Sequence, residues 1–295
     1  MKMLRLIALA LGGLIVLVLV LVASLVISGW NTMHARETNP LPPLRVPTDS
    51  ALFARGEHLV LTNCVGCHAD HHQPPLAGGS RDFFDQPGTP PLGHLYAPNI
   101  TPGGRLKDYT DEELARVIRE GVNRDGHPLV VMPSNQMRGL SDRDLSAIIT
   151  YLRRQSPVDH TVPARQLTPL AYLMFGLHMI ETSHQLPVTL PAPDVPEGMT
   201  VAYGGYLTPY LGCKDCHGPD LRGGHKGQFA PVGPDLVSLA SAHDLGAFTL
   251  ALRAGVSARD GHALDPVGMP FPVYSRLTDT EVGAIYTYLQ SLGKK

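Results

Sequence analysis

From Leu6 to Ile27 the chain runs through 22 consecutive uncharged, mostly aliphatic positions. At a helical rise of ~1.5 Å per residue, that run spans a hydrocarbon core of ~30 Å. Lys2 and Arg5 precede it and Trp30 follows it, which predicts a single-pass anchor with a cytoplasmic N-terminus and an aromatic residue at the outer interface. A cleaved signal peptide is the competing reading. Its apolar region is usually ~7 to 15 residues, and no Ala-x-Ala closes this one. Beyond the span, apolar residues recur at helical spacing. Leu52, Phe53, Gly56, Leu59 and Val60 form one face, Leu145, Ile148, Ile149 and Leu152 a second, and Val282, Ile285, Tyr286 and Leu289 a third. Gly56 lowers helix propensity, so close packing against another helix is its expected role. Helix starts are signalled by Ser or Thr with an acid three positions on: Thr110 with Glu113, Ser141 with Asp144, Ser241 with Asp244, and Thr278 with Glu281. The chain reads as all-α.

The two halves repeat each other. Gly56 aligns with Gly205, Ala97-Pro98-Asn99-Ile100 with Gly233-Pro234-Asp235-Leu236, Arg119-Glu-Gly-Val122 with Arg253-Ala-Gly-Val256, and Asp125-Gly-His127 with Asp260-Gly-His262. Leu140 to Leu152 lies against Leu277 to Leu289. A period this long means duplication of a domain of about 100 residues rather than a solenoid.

All four cysteines fall inside this repeat, as Cys64-Val-Gly-Cys67-His68 and Cys213-Lys-Asp-Cys216-His217. Cys-x-x-Cys-His is the attachment signature of c-type haem, with two thiols for thioether bonds and a histidine beneath the iron. A zinc site would want four ligands together, whereas the pairs lie 149 residues apart. A thioredoxin-type pair needs a βαβ context, and a disulfide leaves the paired histidines unexplained. Two covalently bound haem c groups are therefore expected.

For the far side of each iron the methionines are informative. After Met199 only Met269 remains, in Val-Gly-Met-Pro270, 52 residues after His217; Met132, in Val-Val-Met-Pro133, stands 64 residues after His68. Each precedes a proline and the last helix of its half, and thioether sulfur favours ferrous iron. His127 and His262 compete for that position, although Asp-Gly before each marks a turn. His71 and His72 read as surface residues. His178, His184, His243 and the carboxylates show no usable pattern.

Composition narrows the function. A net charge of −2 and 17% charged residues leave no basic field for a phosphate backbone, so nucleic-acid binding is excluded. Aromatic residues are only 6%, few for filling two cores unless a cofactor shares the task. Residues 153 to 200 hold seven prolines around the apolar run Leu167 to Ile180. That segment predicts a linker with a short surface helix, packing between the domains or touching lipid, and holding the two halves in a semi-fixed relation.

On these motifs each half resembles the class I cytochrome c domain, and the chain as a whole resembles the membrane-bound cytochrome c subunits of bacterial periplasmic alcohol, aldehyde and gluconate dehydrogenases. Those subunits usually carry three haems, and Asn99-Ile-Thr-Pro102 is the local run most like them. The resemblance implies two tandem class I domains after one transmembrane helix: an anchor at 1–30, domain 1 at 48–155, a Pro-rich linker at 156–198 and domain 2 at 199–293. It further implies that the carbonyls of Pro98 and Pro234 orient the proximal imidazoles. Cys64, Cys67, His68 and Met132 would hold one haem, and Cys213, Cys216, His217 and Met269 the other, with no catalytic residue. The implied function is electron relay on the periplasmic side of the bacterial cytoplasmic membrane. The implied partners are a dehydrogenase subunit, a quinol-oxidising complex or a terminal oxidase, besides the lipid bilayer itself. A dihaem peroxidase-like enzyme and a fixed subunit of a larger respiratory or photosynthetic complex are the alternatives.

Overall fold

The structure is a computed structural model and describes residues 1–47, 49–86, 88–188, 190–226 and 230–294. Residue 48, the expected start of domain 1, lies outside the described residues. Helix α1 (Lys2–His34) is long and apolar enough to cross a membrane. It runs seven residues past the apolar stretch and ends at His34, where Ala35 turns extended at φ −55° and ψ 148°.

The first half contains α2 (Ser50–Thr62), α3 (Val65–His68), α4 (Asp111–Glu120), α5 (Ser134–Met137) and α6 (Asp142–Arg154). After it come α7 (Pro169–Gly176) and then the second half: α8 (Val201–Tyr210), α9 (Cys213–His217), α10 (Leu236–Ala242), α11 (Leu245–Ala254), α12 (Phe271–Tyr274) and α13 (Asp279–Gly293). The one sheet among the described residues is a two-residue antiparallel pair, β1 (Gly93–His94) with β2 (Gln166–Leu167).

Reciprocal capping boxes start α4 at Thr110 and α13 at Thr278, and Ser141 caps α6 through the Asp144 amide. The fourth expected start is displaced. Ser241 lies inside α10, and Asp244 is itself the cap of α11, accepting from the Ala247 amide at 2.8 Å. A carboxylate caps as well as a hydroxyl, so an acid three residues after a serine is ambiguous between third helical position and cap.

Gly56 does bring two helices together, since a Cβ there would stand 1.9 Å from the Ala147 carbonyl of α6. The equivalent contact in the second half belongs to Gly204, whose Cβ would meet the Ala284 carbonyl of α13 at 2.1 Å. The sequence alignment with Gly205 is therefore off by one. Eight residues separate Gly56 from Cys64 but nine separate Gly204 from Cys213, and Gly212, in the left-handed region at φ 73°, sits in the lengthened connection.

Both halves contribute to one continuous hydrophobic core, with Leu59, Val60, Leu145, Ile148 and Ile149 on one side and Tyr203, Leu207, Tyr210, Ile285 and Leu289 on the other. The relation of the halves is thus set by a buried seam between α2 and α8 rather than by the proline-rich linker. A smaller cluster, Met33, Phe84, Leu92, Val130, Ala171 and Phe175, lies under the outer end of α1. There α7 packs against α1 rather than between the domains: a Cβ at Gly29 would lie 1.8 Å from the Tyr172 carbonyl, and one at Gly176 would lie 2.0 Å from that of Leu25. Small residues on both helices let the backbones touch.

Candidate haem-binding sites

The first attachment motif is one helical turn, closed by amides of Cys67 and His68 donating to the Cys64 carbonyl at 3.2 and 3.0 Å. Helical spacing puts residues i, i+3 and i+4 on one side of such a turn, so Cys64, Cys67 and His68 all line a cavity of about 800 Å³. The same arrangement puts Cys213, Cys216 and His217 on a second, smaller cavity of about 280 Å³. Neither cysteine pair is joined as a disulfide. Burial pushes the Cys64 and Cys213 thiols up to about 12 and raises those of Cys67 and Cys216, so all four side chains are neutral at physiological pH.

The Nδ1–H of His68 donates to the Pro98 carbonyl at 2.9 Å, and that of His217 to the Pro234 carbonyl at 2.8 Å. A carbonyl can only accept, so Nδ1 carries the proton and Nε2 keeps a lone pair for a metal. Burial lowers the pKa of both rings, partly offset by these bonds, and keeps the imidazoles neutral. Gly233 holds the second ring by close contact, since a Cβ there would sit 2.5 Å from Nδ1 of His217. Met132 and Met269 are half-buried and line the first and second cavity respectively. Before Met132, Val131 adopts φ 68°, a strained backbone for a β-branched residue. Two thiols, a neutral imidazole with a free Nε2 and a thioether on one mostly apolar cavity suit c-type haem in both halves.

Other histidines fall elsewhere. His127 sits in its expected turn, its amide on Asn123 Oδ1 at 2.8 Å and its ring on the Ala35 carbonyl at 2.9 Å, although it also borders the first cavity. His262 is exposed and pairs with Asp260. His71 is exposed as expected, but His72 is half-buried and its carbonyl accepts from Arg276 of the second half at 2.7 Å. It belongs to the seam between the halves, a placement that local sequence does not reveal.

Several structural residues of the sites escape a reading by motif. Asp144 and Glu281, equivalent third positions of two helix starts, cross the seam in mirrored fashion: Tyr206 donates to Asp144 at 2.7 Å and His58 meets Glu281 at 2.8 Å. Arg55 pairs with Asp144 at 2.9 Å and also reaches Tyr203 at 3.3 Å. Around the motifs the symmetry continues. Gly66, between Cys64 and Cys67, faces Val273 of α12, while Asp215, between Cys213 and Cys216, accepts from Gln136 of α5. Each attachment loop therefore lies against the short helix that follows Met-Pro in the other half. Arg119 and Arg253, visible only as repeat markers, donate to the Leu140 and Leu277 carbonyls and pair with Asp142 and Asp279 at 2.7 and 2.8 Å. They tie α4 and α11 to the starts of the closing helices.

The family described as cytochrome c oxidase, cbb3-type, subunit III matches residues 51–152, and the cytochrome c family matches residues 202–293. The chain is 28% identical over 282 residues to the gluconate 2-dehydrogenase cytochrome c subunit of Pantoea cypripedii, covering 84% of this chain and 61% of that protein. It is 31% identical over 181 residues to the cytochrome c subunit of the quinone alcohol dehydrogenase of Gluconobacter oxydans, covering 58% and 36%. It is 28% identical over 281 residues to one of the nicotinate dehydrogenase subunits of Pseudomonas putida, covering 87% and 23%. The chain thus spans between about a quarter and three-fifths of the length of these relatives. Both halves, with their matched turns of two cysteines and a carbonyl-bound histidine, belong to the cytochrome c-type domains, which imply covalently held haem c.

Proposed function

We propose that the chain is a membrane-anchored dihaem cytochrome c that relays electrons on the periplasmic side, from a dehydrogenase or a quinol-oxidising complex towards a terminal acceptor. The observation that carries this is the symmetric seam: both attachment loops lie against the opposite half within one core, which supports transfer between the two centres without domain movement. Haem supplies reversible one-electron chemistry in which no bond is made or broken. The protein's part is to attach it through Cys64, Cys67, Cys213 and Cys216 and to present Nε2 of His68 and His217. Met132 and Met269, on the walls of the same cavities, would supply the thioether ligands, and the apolar walls would exclude water. A histidine and a methionine on each iron would leave no position open for peroxide, which favours relay over peroxide chemistry. The names of the relatives favour a dehydrogenase as donor.

Anchoring rests on α1, with Lys2 and Arg5 inside. At its far end Trp30 stacks on His34 at 4.1 Å, and α7, with exposed Leu170 on it and exposed Leu177 just past its end, packs beside it. That is the composition of a membrane–water interface. The test is the oxidised absorption spectrum, which carries a weak long-wavelength band when a methionine sulfur binds ferric iron. Met132→Ala and Met269→Ala are each expected to remove about half of it. Variants that both keep the parent band contradict the ligand assignment.

A further inference from the structure

The first cavity is not built by the first half alone. After α6 the linker turns back over its mouth, and Asp159, His160, Thr161, Val162, Pro163 and Arg165 line it. This strap is pinned by the Asn-Ile-Thr run. Asn99 Nδ2 donates to the carbonyls of Val158 and His160 at 2.9 and 3.1 Å, and Thr101 Oγ1 accepts from the Val158 amide at 3.1 Å. Glycine makes room for it, since Cβ atoms at Gly78 and Gly103 would each stand 2.4 Å from Val162 and Val158. In the second half the residue matching Asn99 is Asp235, which caps α10 instead, and no strap residue lines that cavity.

On this strap Arg165 joins Arg105 at the same cavity. Neither guanidinium has a hydrogen-bond partner or a carboxylate within 4 Å among the described residues, although exposed Lys107 and the acids Asp108 and Asp159 also border the mouth. Desolvation and the charge of Arg105 both hold Arg165 below its ordinary pKa, against the opposing influence of Tyr172. Both side chains are exposed at the cavity mouth, open to an incoming anion, and two like charges close enough to influence each other are relieved when an anion sits between them. The second cavity has no lysine or arginine among its described lining residues, and its one acid, Asp265, accepts from the Val267 and Gly268 amides at 3.2 and 3.0 Å.

We propose that Arg105 and the strap residue Arg165 bind the two propionate carboxylates of the haem in the first cavity, making the linker part of that site. This rests on the reading of the first cavity as a haem site. Arginine's planar fork matches a carboxylate better than lysine's point charge. Positive charge beside the porphyrin disfavours the ferric form, which carries one more positive charge than the ferrous form, so the pair raises the potential of the first centre.

The test is spectroelectrochemical titration of the detergent-purified full chain and of Arg105→Gln, Arg165→Gln, the double variant and Arg165→Lys. One of the two redox waves is expected to move to lower potential in each glutamine variant, further in the double, and less in Arg165→Lys. The other wave is expected to stay in place. The moving wave is expected to be the one that Met132→Ala displaces. Waves that both stay, or that both move equally, in protein carrying two haems overturn the proposal. A parent chain with an empty first site fails the haem reading instead, which pyridine haemochrome analysis registers separately.

Discussion

Asp144 and Glu281 are ionised groups taken almost wholly out of water, at 6% and 3% exposure. Burial raises the pKa of each. For Asp144 the Arg55 guanidinium and the Tyr206 hydroxyl outweigh it, and for Glu281 the bond and charge of His58, so both fall below the usual carboxylate range. Removing one partner of such a buried pair costs about 3–5 kcal/mol. Asp144→Asn is expected to show a loss of that order in urea unfolding. Because the folded-state pKa values are depressed, the stabilisation is present above the ordinary carboxylate pKa of about 4 and is lost as pH falls through the folded values. Acid unfolding is therefore expected below about pH 4, with a shallower limb in an Asp144→Asn, Glu281→Gln double variant; a limb of unchanged slope would remove these residues from the account of acid stability. Gly233 offers a second test at this scale. Its Cβ would overlap the His217 ring, so Gly233→Ala is expected to cost about 1–3 kcal/mol and to lower haem content at the second site alone. The cysteines and histidines of the motifs were legible because their spacing is local. Asp144 and Glu281 were not, because a carboxylate three residues after a cap reads as a capping box whether or not it also crosses a seam.

Among elements, the closing helices were the most legible: Leu145, Ile148, Ile149 and Leu152 are all buried on α6, and three of the four matching residues are buried on α13, Tyr286 being half-buried. Helical periodicity reports burial directly, so it locates faces well. It does not report partners, which is why α7 was expected to pack between the domains or touch lipid and packs instead against α1. The decisive residues there are Gly29 and Gly176, which sequence shows only as weak helix formers. Gly176→Leu is expected to separate the two helices by inserting bulk where backbones touch. Amide exchange over residues 166–176 should rise about tenfold, equivalent to about 1.4 kcal/mol, and exchange at its parent rate would show that the contact is dispensable. The strap at 158–165 was equally hidden, since a proline-rich stretch advertises a linker and not the wall of a cavity.

For the whole molecule, duplication was visible in the sequence, yet the packing of the copies was not. Two repeats predict two domains, and nothing in either repeat states that α2 and α8 would share one core. The shared core implies a single cooperative transition. Unfolding followed separately by a probe in each half is expected to give coincident midpoints, whereas two separated transitions would restore the picture of beads on a linker. The proposed relay depends on the same feature, because centres held in one body would exchange electrons at fixed separation. All of this presupposes two covalently attached groups, one on each turn of cysteines. The most direct measurement is pyridine haemochrome analysis combined with the intact mass of the purified chain. Two haems per chain are expected in the parent, and one in a variant lacking either Cys64 and Cys67 or Cys213 and Cys216. A parent chain carrying one haem, or none, would contradict it.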